Sequence, residues 1–121
     1  MKAALTAVVI LVMAEHVWFL VLEMFLWTRP LGLKTFRNTP EFARQSAALA
    51  ANQGLYNGFL AAGLLWGLCH PVAEVAFQIT VFFLACVAVA GIAGAITVSR
   101  RIFFIQALPA LAGLVLAWMQ R

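Results

Sequence analysis

Four stretches of the chain, residues 3–27, 47–69, 75–98 and 102–120, are almost unbroken in apolar side chains. Each is close to the 20 or so residues that carry a helix across the hydrocarbon core of a bilayer. The pattern predicts an all-α integral membrane four-helix bundle, a single domain spanning 1–121, with residues 28–46 as its long connection. The opening MKAALTAVVILVMAEH has the basic Lys2, apolar run and small-residue site of a leader. Hydrophobicity continues past Ala14 to Trp27, so this stretch reads as a first span.

The long connection, TRPLGLKTFRNTPEFARQS, carries its own punctuation. Pro30-Leu31-Gly32 is expected to stop helix 1, while Thr39-Pro40-Glu41 offers an N-cap, a first-turn proline and a first-turn acid for helix 2. Leu31, Leu33, Phe36 and Phe42 can dip towards lipid headgroups while the basic residues meet anionic lipid, or the segment is a solvated basic loop. Pro71 with Glu74 starts helix 3. Ser99 can cap helix 4, and Pro109 predicts a bend in it.

Composition agrees with the pattern. The chain is 65% hydrophobic and 10% charged, with a mean hydropathy of +1.01. Soluble domains carry charge on roughly a quarter of their residues. The net charge of +4 is distributed unevenly. Arg29, Lys34, Arg37, Arg44, Arg100 and Arg101 occupy the first and third connections, against Lys2 and Arg121 elsewhere. The positive-inside rule then places those connections in the cytoplasm and both termini on the non-cytoplasmic side of the inner (plasma) membrane. Lys2 runs against that orientation. A bilayer partner accounts for this charge pattern, and no nucleic acid is invoked. Cys69 ends the second span and Cys86 lies about 11 residues into the third. That separates them by roughly 16 Å of depth, beyond disulfide reach.

Polar residues inside the spans carry the candidate chemistry. In NQGLYNG, Asn52, Gln53, Tyr56 and Asn57 fall within an arc of about 140° at 100° per residue. A neighbouring arc holds Gly54, Gly58, Ala61 and Ala62, small residues that allow another helix to approach. On helix 1, Glu15, His16, Glu23 and Trp27 share an arc of about 120°. An ionised side chain at mid-bilayer costs at least about 2.5–3.5 kcal/mol, so this face should turn inward. Glu23 and Asn52 lie at similar depth from the inner end of their spans, as do His16 and Asn57. Glu15, His16, Glu23, Asn52, Gln53, Tyr56 and Asn57 are thus expected to form one inward-facing ligand-binding cluster. Amide side chains alone more often serve as glue between helices. Two carboxylates and an imidazole are a costly glue, which tilts the reading to a site. Gln78, Thr97 and Gln106 stand isolated. Trp18, Trp27, Trp66 and Trp118 suit the membrane interface. No metal site is expected, because His16 is the one imidazole at membrane depth and stable sites need more donors. No cofactor can be named.

HVWFLVLEMFLW (16–27) and LAANQGLYNGFLAAGLLWG (49–67) resemble a family of small bacterial and fungal membrane proteins catalogued as a domain of unknown function. The resemblance implies four membrane helices and no particular activity. A more distant resemblance is to the membrane-associated proteins of eicosanoid and glutathione metabolism, with four helices and a basic cytoplasmic first connection. Their second helix carries an Arg-Ala-His-x-Asn-x-x-Glu-like pattern that helps hold glutathione in a trimer. Here Asn52 matches the asparagine, but Leu55 stands at the glutamate and Leu49 or Ala48 at the arginine.

The expectation is a homo-oligomeric membrane protein binding a small or lipophilic ligand in a polar pocket of its cytoplasmic half. The alternatives are a membrane enzyme, with Glu23 or Glu15 as base and His16 or Tyr56 as proton donor, and an accessory subunit of a larger complex.

Overall fold

The computed structural model of the protein describes residues 2–121. It is all-α, with no strand among the described residues. The helices are α1 (Ala3–Met24), α2 (Pro30–Phe36), α3 (Pro40–Cys69), α4 (Ala73–Thr97) and α5 (Leu108–Met119), and a π-helical turn at Phe103–Ala107 leads into α5. α1 and α4 are long and apolar enough to cross a membrane, and Phe103–Met119 forms a shorter apolar helix.

Helix boundaries follow local chemistry. The backbone N–H of Phe42 donates to Thr39 Oγ1 at 3.2 Å, so Thr39 caps α3 ahead of Pro40 and Glu41, as its sequence suggests. Thr39→Ala is expected to cost about 1 kcal/mol in thermal unfolding followed by circular dichroism, with the helix count unchanged. At the far end of α4, Ser99 Oγ accepts the N–H of Arg101 at 3.3 Å, the capping role expected of it.

Two expectations for the connections need correction. The first helix ends at Met24 rather than Trp27, because its four-residue ladder gives way to a five-residue closure from Leu26 N–H to Val21 O and then a three-residue turn from Arg29 N–H to Leu26 O. Pro30-Leu31-Gly32 does not merely stop that helix but begins α2, since a proline's missing donor costs nothing at a first helical position. α2 closes at Arg37, whose φ of 57° is left-handed, and whose N–H returns to Leu33 O.

At Pro109, where a bend is expected, the chain widens into a π turn. The proline occupies the second position of α5, directly after the π turn, in which Leu108 N–H reaches back five residues to Phe103 O. A proline cannot donate and its ring crowds the carbonyl four residues earlier. Widening the preceding turn relieves that conflict.

The described residues pack as two compact units. The first comprises the stretch to Glu15 together with Leu60–Arg121, and the second is His16–Phe59. Within the first unit, segments of α1, α3, α4 and α5 close around Leu5, Val9, Val12, Leu64, Leu84, Val87, Ala110 and Ala117. Gly91 of α4 lets the π turn approach closely: a Cβ there would come within 2.5 Å of the Ala107 nitrogen. In the second unit, the indole N–H of Trp27 donates to Ser46 Oγ at 3.1 Å, and its ring lies 4.8 Å from that of Phe36. These contacts order the connection.

Candidate functional site

The second unit holds most of the polar residues singled out above. Its central geometry is set by Gly54 of α3, which is buried. A Cβ there would sit 2.7 Å from Met24 Cγ, 3.1 Å from Glu23 Cβ and 3.3 Å from Leu20 O. Only a glycine lets α3 lie this close to the last turns of α1. One turn on, a Cβ at Gly58 would meet the Leu20 Cδ1 methyl at 2.7 Å, a side-chain end that can move. The small-residue arc therefore lies against α1 at these two positions. Farther along α3, in the first unit, Ala61 is buried and Ala62 exposed.

This approach brings together an amide and a carboxyl. Asn57 Nδ2 donates to Glu23 Oε1 at 2.7 Å, and Glu23 is 4% exposed. His16 is fully buried, its ring edge-on to Phe19 at 5.3 Å. No lysine or arginine among the described residues forms an ion pair with Glu23. A carboxyl removed from solvent without a cation depends on such a donor, because its charged form carries a desolvation penalty.

The expected single inward-facing cluster is not what forms. Asn52, Gln53 and Tyr56 are exposed, and the Tyr56 ring leans on Phe59 at 5.9 Å. The reason is angular. With Gly54 against α1, Asn57 lies about 60° from the contact line, Gln53 about 100° and Asn52 about 160° away, nearly opposite. One polar arc thus has an edge bonded to α1 and a face turned outward. Glu15 belongs to the first unit, half-buried, with Oε2 buried and unbonded.

Other polar contacts join residues outside the expected cluster. Gln78 is not isolated: its Nε2 donates to Glu74 Oε1 at 3.2 Å. The same oxygen accepts Arg121 Nη2 at 2.9 Å, while the guanidinium lies 4.6 Å from the Phe77 ring centre. Both partners of this pair are more than half exposed, so it adds little to stability. A cleft of about 240 Å³ lies among Ala73, Glu74, Phe77, Gln120 and Arg121. Elsewhere on the first unit, an open apolar groove of about 430 Å³ runs along α4 beside Phe82, Cys86 and Val89. Both cysteines are free. Ser46, bonded to Trp27 and donating to Phe42 O at 2.7 Å, was recognisable only from the fold.

Comparison with known proteins finds a family match. The model of the family described as "Protein of unknown function (DUF1304)" matches residues 10–118. No curated protein and no solved structure matches the chain.

Proposed function

We propose that this chain, which belongs to that family of unknown function, is a multi-pass membrane protein that binds a small lipophilic ligand beside Glu23 and Asn57. The bilayer reading is supported by α1 and α4, both long and apolar enough to cross, and by the large apolar side chains left outside. Leu11, Leu49, Phe82, Val89, Ile96 and Trp118 are each at least 50% exposed, a burden that water would penalise and lipid would not. α3 and Phe103–Met119 would complete four spans, both termini outside and the basic connections in the cytoplasm.

The observation that carries the ligand reading is the buried carboxyl of Glu23 held by the Asn57 amide, while Asn52, Gln53 and Tyr56 face outward on the parts of α3 turned away from α1. Within lipid, exposed amides and a phenol need partners. A second copy would satisfy them, since asparagine and glutamine amides both donate and accept, so that identical faces are self-complementary about a two-fold axis. The homo-oligomer belongs to the same proposal.

Two measurements test it. Nondenaturing mass spectrometry of gently extracted protein should find a co-purifying small molecule and a subunit count above one. A bare monomer would overturn the reading. In a Cys69→Ser/Cys86→Ser background, an impermeant thiol reagent applied to intact cells should label Lys2→Cys and spare Arg37→Cys. The opposite pattern would invert the topology.

A further inference from the structure

The segment between α1 and α3 is an ordered shelf whose surface alternates apolar and cationic groups. α2 buries only Gly32, so its other six residues lie at least partly open, although they include Leu31, Leu33 and Phe36. Leu31, Phe36 and Phe42 are 47%, 37% and 53% exposed. Among them stand the exposed cations Arg29, Lys34, Arg37 and Arg44, against the single acid Glu41. None of these four cations forms an ion pair among the described residues. The shelf is held in shape by the Trp27–Ser46 bond, the Trp27–Phe36 ring contact and the left-handed turn at Arg37.

Exposed leucine and phenylalanine in an ordered segment would be disfavoured in water, and unpaired cations would be disfavoured in hydrocarbon. One environment satisfies both: the headgroup layer, where acyl chains begin and phosphates lie within reach. We infer that residues 29–44 form a docking surface for anionic phospholipid headgroups, cations on phosphate and Leu31, Phe36 and Phe42 among the upper acyl carbons. This inference rests on the membrane reading above. It adds that the shelf selects lipid by charge, through rigid placement of its cations.

The test uses the full chain in nanodiscs containing equal amounts of phosphatidylglycerol and phosphatidylcholine. Lipids retained after release are counted by nondenaturing mass spectrometry. The wild-type protein should retain phosphatidylglycerol preferentially. Each cation near the surface contributes about a five-fold factor, so Lys34→Gln/Arg44→Gln should cut the preference by an order of magnitude or more. Lys2→Gln should leave it unchanged, and raising salt should erode the wild-type preference. Wild-type protein without a preference, or one unmoved by the double substitution, would overturn the inference. So would an equal loss from Lys2→Gln, which would mark a diffuse effect of net charge. Failure to enter nanodiscs at all would instead overturn the membrane reading.

Discussion

Gly54→Leu is expected to collapse the packing of α1 on α3 in the second unit, lowering thermal stability by about 3 kcal/mol or more. The leucine side chain would have to displace Met24 Cγ, Glu23 Cβ and, least yielding, the carbonyl of Leu20. Backbone cannot rotate away as a side chain can. Gly58→Ala is the internal contrast. Its new methyl meets the mobile end of Leu20, and alanine gains about 1 kcal/mol over glycine in a helix. That variant should melt within about 1 kcal/mol of wild type. Intrinsic fluorescence melting in detergent, with size-exclusion chromatography alongside, measures both. If Gly54→Leu melts like wild type, α1 and α3 do not approach as described.

Glu23→Gln should retain the fold and lose the ligand. The amide keeps the shape and can still accept from Asn57 Nδ2, but it replaces one carboxyl oxygen by an NH2 group that cannot accept from the ligand. Leaving a buried polar group unsatisfied costs about 1–3 kcal/mol, so binding should weaken at least about five-fold. Glu23→Leu should lose the ligand equally and additionally strand the Asn57 amide. Within membranes such a bond averages about 0.6 and reaches about 1.7 kcal/mol. A double-mutant cycle with Asn57→Leu should return a coupling in that range. Undiminished ligand retention in Glu23→Gln would remove Glu23 from the site, and zero coupling would remove the hydrogen bond from the description.

The contrast between Glu23–Asn57 and Asn52 shows how far the sequence could be read. A helical wheel gives the angle between two side chains without error of principle. It does not say which angle meets the neighbour. Gly54 and Gly58 set that direction, so the polar arc is not the contact face and Asn52 lies almost opposite Gly54. Thr39-Pro40-Glu41 was legible because capping is local, needing only residues that follow one another. α2 was not, because Pro30 and Gly32 spell both the end of one helix and the start of another, and tertiary contacts at Trp27 decide between them. The Glu74–Arg121 pair spans 47 residues, and no local signal announces it.

The π turn at Phe103–Ala107 has a bearing on how chain length can vary here. A ring closed over five residues in place of four holds one residue more than the α-helix around it needs. Removing one residue from this turn would return it to α-helical pitch and leave Leu108–Met119 free to keep its facing. The same removal inside α5 would swing everything beyond it by about 100°, taking Ala117 out of the core and replacing it with an outward neighbour. Insertions and deletions are thus tolerated unequally along this last helix. Its spare residue sits where Gly91 gives Ala107 room, and there a change of length would do least damage to the rest.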